Sequence, residues 1–157
     1  MEASPLHIKV EAPDSADTRW CFDGYFHDLA ARFDAGFDPA KSISATPEEL
    51  TPPNGAVVIA RRDGRAVGCG ALKATGNGIG EIKRMWVAEE ARGHGVGKRI
   101  LAKLEELAPE FRISVLRLET NHTLVEAQSM YRKAGYREVA PFNDEPYAHH
   151  WFEKALT

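Results

Sequence analysis

The run Arg92-Gly93-His94-Gly95-Val96-Gly97-Lys98 constrains this chain more than any other stretch. Glycines at every second position let the main chain bend tightly, and they leave its N–H groups open to a bound group with no Cβ in the way. Just before the run, Glu81 to Val87 has the apolar and bulky residues of a strand. Just after it, Val96, Ile100, Leu104, Leu107 and Phe111 recur at spacings of three and four, the stripe of a helix that buries one face. The first-turn N–H groups of such a helix lack internal partners and carry about half a positive charge between them. Arg92 and Lys98 flank them with full charges, so the loop reads as a cradle for an anion, above all a phosphate.

Two common phosphate motifs do not fit. A nucleoside-triphosphate loop needs Ser or Thr after its lysine to reach magnesium, and Lys98 is followed by Arg99. Gly93, Gly95 and Gly97 also lack the G-x-G-x-x-G spacing of a dinucleotide fold. The loop resembles instead the signature of the GCN5-related N-acetyltransferase (GNAT) family. That signature is Arg or Gln, two residues, Gly, one residue, then Gly or Ala, between a strand and a helix. Arg92, Gly95 and Gly97 match it. A second resemblance lies in Ala127 to Tyr136, where the family carries a helix with Tyr shortly before Gly and an aromatic residue; Tyr131, Gly135 and Tyr136 stand at those places.

The resemblance covers Ala56 to Tyr136 closely and implies acetyl-coenzyme A as co-substrate, with its pyrophosphate on the backbone N–H groups of Arg92, Gly93, His94, Gly95, Val96, Gly97 and Lys98. It assigns the pantetheine arm to the strand end Met85, Trp86 and Val87, with Asn121 and Ala127 beside it, and makes Tyr131 a general acid next to the thioester sulfur. A phenol with pKa near ~10 stays protonated at neutral pH and can supply a departing thiolate of pKa near ~8.5. Glu81, eleven residues before Arg92, matches the general base of one branch of the family. Alternation would put it on one strand face with Lys83, Met85 and Val87, and pairing with Lys83 makes a plain ion pair an equal reading. Glu119, Asp144 and Glu145 are weaker candidates for holding a cationic acceptor. Where the family commonly has Pro after this strand, the chain has Glu89.

The fold so implied is α/β (α+β): one domain over residues 1–157, with a mixed, mostly antiparallel sheet of six to seven strands, flanking helices, and strands splayed at the cofactor cleft. The chain reads in that order. Leu6 to Val10 is a strand, and Asp14 or Ser15 caps the helix after it. Trp20, Phe22, Tyr25, Phe26, Leu29 and Phe33 give this helix an aromatic face, either core or acceptor wall. Ala35 to Pro53 is a loop with a helical turn near Glu48 to Leu50. Ala56 to Arg61 and Arg65 to Lys73 form a hairpin about Asp63-Gly64, and Gly76-Asn77-Gly78 turns into the strand from Ile79. Val115 to Thr120 is a strand, Asn121 or Thr123 caps a helix through Ala134, and Gly135 stops it. Tyr136 to Val139 pairs with His149 to Lys154.

A net charge of -3 supplies no general attraction to nucleic acid, so the partner is a small-molecule amine or a peptide, and a homodimer is compatible. Cys21 and Cys69 are too few for a disulfide framework, and Met1 to Arg19 lacks the basic flank and apolar run of a leader. With Ala56 to Ala60 the longest apolar run, no membrane span is expected and the location is cytoplasmic. His94 has no partner at ligand spacing, and His149 and His150 would face opposite ways on a strand, so no metal is expected. The reading is direct acetyl transfer from acetyl-coenzyme A to a primary amine; the alternative is a non-catalytic regulatory module that only binds the coenzyme.

Overall fold

The computed structural model describes residues 4–43 and 45–156; the first three residues of the N-terminal stretch and Ser44 of the long loop lie outside the described residues. Seven strands form one sheet in the order β1-β2-β3-β4-β5-β7-β6. They are β1 (Leu6–Glu11), β2 (Gly55–Arg62), β3 (Arg65–Gly76), β4 (Ile79–Val87), β5 (Val115–Thr120), β6 (Arg137–Val139) and β7 (His150–Ala155). Three helices accompany them: α1 (Ala16–Arg32), α2 (Val96–Leu107) and α3 (Val125–Lys133).

The turn chemistry read from sequence sets the first half. Asp63 and Gly64 both take positive φ, 54° and 76°, as a two-residue hairpin matching the strand twist requires. Asn77 and Gly78 do the same, at 57° and 79°. Ser15 is the cap of α1: its Oγ accepts from Thr18 N at 3.1 Å, while Asp14 takes no part. Glu48–Leu50 is a 3-10 turn as expected, and Pro39–Lys41 is a second one.

The sheet separates two apolar clusters. On one face α1 sets Cys21 and Phe22 against Val57, Ile59, Cys69 and Ala71. On the other, Val96, Ile100, Leu104 and Leu107 of α2 pack on Val58, Ala60 and Leu72, joined by Leu116, Leu118, Tyr131 and Phe152. The predicted stripe is therefore the buried face of α2, although Phe111 falls in a separate 3-10 turn after the helix.

Two expectations fail. Helix α3 starts at Val125 with Leu124 as its cap residue and no capping side chain; Asn121 Oδ1 instead accepts from the N–H and hydroxyl of Thr123 within the preceding loop. The simple alternation of β4 also breaks. Lys83 pairs with Ala71 and Trp86 with Cys69, so β4 carries one extra residue in a bulge, with Arg84 at φ 54°. Glu81 and Lys83 consequently lie on the α1 face with Trp86, while Met85 and Val87 turn to the α2 face with Ile82. The sequence expectation that put Glu81 on one face with Met85 and Val87 is corrected.

Candidate active site

Among the described residues the only parallel neighbours, β4 and β5, pair at Ile79–Val115, Gly80–Leu116 and Glu81–Arg117 and then part. Beyond Glu81, the β5-facing edge of β4 has no strand partner, so its main-chain groups look into a cleft. Met85, Trp86 and Val87 lie on this open stretch. Trp86 is anchored from its far side, its Nε1 donating to Asp28 Oδ2 of α1 at 2.7 Å.

At the end of β4 the chain makes one 3-10 turn, Glu89–Ala91, and enters the glycine loop. Gly93 and Gly95 have φ of 83° and 77°, values that L side chains rarely adopt, and nothing lies within 4 Å of where their Cβ atoms would be. Gly95 is the cap residue of α2, and no side chain caps the first turn, so the amides of Val96, Gly97 and Lys98 are unclaimed within the helix. Val96 is buried and offers only its main chain; His94 and Lys98 are exposed. Gly97 has a different job. A Cβ there would come 3.1 Å from Met130 Sδ, so its absence lets α2 approach α3. Arg92 does not point freely at the loop: Nε donates to Val87 O at 3.0 Å and a terminal nitrogen to Asp28 Oδ2 at 2.6 Å. An open loop at a helix N-terminus, with no Cβ at Gly93 or Gly95 and Lys98 exposed beside it, fits the diphosphate of acetyl-coenzyme A.

The cleft leads into a cavity of about 110 Å³ walled by Tyr25, Phe26 and Leu29 of α1, Lys83 to Met85 of β4, Leu118 to Thr120 of β5, Asn121 of the loop after it, and Ala127 and Tyr131 of α3. Tyr131 is fixed by how α3 ends. Gly135, at φ 97°, lets its own N–H bond Arg132 O and the next N–H, of Tyr136, bond Tyr131 O at 3.0 Å, a Schellman closure. The Tyr136 ring then packs edge-on against Tyr131, centroids 5.9 Å apart. Burial, with Tyr25 and Glu119 nearby, pushes the Tyr131 phenol well above its usual range, and the same burial raises Tyr25.

The carboxylates are arranged less evenly. Lys83 Nζ sits between Glu119 Oε1 at 3.0 Å and Glu81 Oε2 at 3.3 Å, with side chains 10%, 9% and 16% exposed for Lys83, Glu119 and Glu81. Burial works against the lysine's charge, yet the two carboxylates outweigh it and hold its pKa above the ordinary lysine range. Glu81 stands where β4 and β5 still pair and is not among the residues walling the cavity, whereas Glu119 is. Glu119 is the residue that sequence reasoning undervalued; its alternation with buried Leu118 and Thr120 put it on the α1 face, but only the pairing with Lys83 identifies it.

Asn121 walls the cavity, but its side chain is committed to structure, Nδ2 donating to Tyr147 O at 2.7 Å. Glu145 is buried and receives Ser42 Oγ at 2.9 Å and the N–H of Ile43, tying the loop after α1 to the loop before β7. Tyr147 Oη accepts from Asp38 N at 2.9 Å and completes that roof. Phe142 lies against Arg117 and Asn143 accepts from Trp151 Nε1, both apart from the cavity wall. His149 packs on His122 at 4.5 Å, while His150 bonds Glu138, so the two diverge. Among the described residues no helix is long and apolar enough to cross a membrane.

Residues 20–136 match the model of the Acetyltransferase (GNAT) family. The chain belongs to that family, and it is accordingly an acyltransferase by class. A relative named IAA acetyltransferase, from Azospirillum brasilense, is 40% identical over 96 residues, which span 60% of this chain and 63% of that protein. An acetyltransferase of the GNAT family from Staphylococcus aureus superposes with a TM-score of 0.81 at 19% identity, covering 98% of this chain and all of its own. An acetyltransferase from Bacillus anthracis, solved in complex with acetyl coenzyme A, superposes with a TM-score of 0.62 at 23% identity, over 73% of this chain and 69% of that one.

Proposed function

We propose that the protein transfers the acetyl group of acetyl-coenzyme A directly to the primary amine of a small molecule, with both reactants bound together. The observation that carries this reading is the parting of β4 and β5 after Glu81, which leaves the edge of β4 without a strand partner between the cavity that Tyr131 lines and the glycine loop that starts α2. The amides of Gly93 to Lys98 would hold the diphosphate, and the open edge of β4 at Met85 to Val87 would hold the pantetheine arm. When bound, the coenzyme supplies an activated acetyl thioester.

Everything else is done by the chain's own groups. Holding amine and thioester side by side removes the entropy cost of a bimolecular encounter. Tyr131 keeps its proton at neutral pH and has it available for the departing sulfur. Glu119, which lines the cavity, would take the proton that an ammonium must lose before its nitrogen can attack, and Lys83 links it to Glu81. The aromatic residues around the cavity keep bulk water away from the thioester.

Purified protein given acetyl-coenzyme A and a panel of primary amines should release free thiol in proportion to amide formed. Binding of the coenzyme without thiol release on any amine would overturn the enzymatic reading in favour of a module that only binds it.

A further inference from the structure

Among the described residues, the one buried side-chain oxygen or nitrogen without a hydrogen-bond partner is Glu119 Oε2. Three other buried or half-buried carboxylates are supplied on both oxygens: Glu145 by Ser42 and Ile43, Glu105 by Tyr136 and Lys154, and Glu153 by Arg117 and Arg137. Glu119 has only Lys83, and only on Oε1. Leaving a buried acceptor unmatched costs about 1–3 kcal/mol, more when it is charged, so a carboxylate kept in this state on a cavity wall marks a place for a donor that arrives from outside.

We propose that this donor is the ammonium of the acceptor, received by Glu119 Oε2, and that the acceptor is a compact primary amine carried on an apolar or aromatic body. The proposal rests on the acetyl-transfer reading and sharpens it. Phe26, Phe33, Phe37 and Tyr147 join Leu29 and Leu124 in the wall, and the rings pack on one another with centroids 4.7 to 5.9 Å apart. They suit a flat or branched hydrocarbon better than a polar chain. Of the two carboxylates that line the cavity, Glu145 is engaged by Ser42 and Ile43 and only Glu119 keeps an open oxygen, so a second positive charge, as in a polyamine or a basic peptide, finds no second open carboxylate there. Glu145 and Tyr147 tie the loop after α1 to the loop before β7 beside the cavity, which favours a compact acceptor over a polypeptide.

In this arrangement the ammonium loses two protons. One passes to Glu119 Oε2 and out to solvent, freeing the nitrogen pair to form the C–N bond as the C–S bond breaks. Tyr131 gives its proton to the sulfur, and the second nitrogen proton restores the phenol.

The test uses wild-type protein saturated with free coenzyme A, which permits binding without turnover. Calorimetric titration with 2-phenylethylamine and with its neutral isostere 2-phenylethanol should show the amine binding at least about tenfold more tightly, or 1.4 kcal/mol. Equal affinities would overturn the proposal whatever any variant does. In Glu119→Gln that preference should vanish and kcat/KM for the amine should fall about 100-fold, in kcat and KM together, while coenzyme A still binds with its wild-type heat. Retention of kcat/KM within threefold, or a wild-type preference for spermidine over 2-phenylethylamine, would equally refute it. Failure of the transfer reading looks different: amine and alcohol are discriminated, but acetyl-coenzyme A yields no thiol.

Discussion

Tyr131 is buried, yet its hydroxyl makes no hydrogen bond among the described residues, so it is available for chemistry rather than tied into the core. Tyr131→Phe should therefore fold with a melting temperature close to wild type while kcat drops about 10²–10⁴-fold, the usual worth of a positioned acid. Steady-state kinetics beside a thermal melt check this; full turnover would remove Tyr131 from the mechanism. The pH profile follows with a definite sign. Burial raises the phenol's pKa, so the proton is kept to higher pH, and kcat should hold its plateau past about pH 10, where an ordinary tyrosine would begin to lose it. A descending limb at about pH 8 to 9 would contradict the assignment, since that is well below even an unperturbed phenol. At this scale Tyr131 was legible because it lies a fixed, short distance before Gly135 on one helix. Glu119 was not, because its importance comes from Lys83, 36 residues away on a neighbouring strand.

Among the elements, the glycine loop and α2 were readable as a unit because every determinant is local. Gly95 shows what that means physically: a left-handed cap residue with open space beside it, where alanine would be strained by about 1–2 kcal/mol without meeting any atom. Gly95→Ala should thus weaken coenzyme A binding by roughly tenfold, by turning the first-turn amides away from their common direction, while α2 keeps its packed face. Calorimetry gives the affinity and circular dichroism the helix; unchanged affinity would mean the loop does not aim the amides. The bulge in β4 was illegible for the opposite reason. Lys83-Arg84-Met85 contains no Gly, Pro or Asn to signal φ of 54° at Arg84, so alternation was carried straight through and grouped Glu81 and Lys83 with Met85 and Val87. The start of α3 failed similarly: Asn121 has a capping side chain, but the loop uses it on Thr123 and Tyr147.

Across the whole molecule, a rigid sheet carries two coupled loops that close its cleft, and they meet through Glu145. Removing that carboxylate in Glu145→Ala should leave the sheet folded but loosen residues 34–43 from residues 140–149, which Tyr147 would still join through Asp38 and Phe37. Limited proteolysis should then cut one of these loops at least several-fold faster than in wild type, because opening there no longer breaks buried bonds. Unchanged cleavage would show that the roof is held by other contacts. The sheet order was legible from hairpin turns and strand–helix alternation, while these contacts between loops more than 100 residues apart were not.

The central claim is that amides at the N-terminus of α2 grip a diphosphate. It is tested most directly by titrating wild-type protein with coenzyme A and, separately, with pantetheine, which has the same thiol arm and no diphosphate. The account predicts that coenzyme A binds at least about 100-fold more tightly, close to 3 kcal/mol, and that the difference shrinks with added salt as charge is screened. Equal affinity for the two, or no heat with coenzyme A, would contradict it.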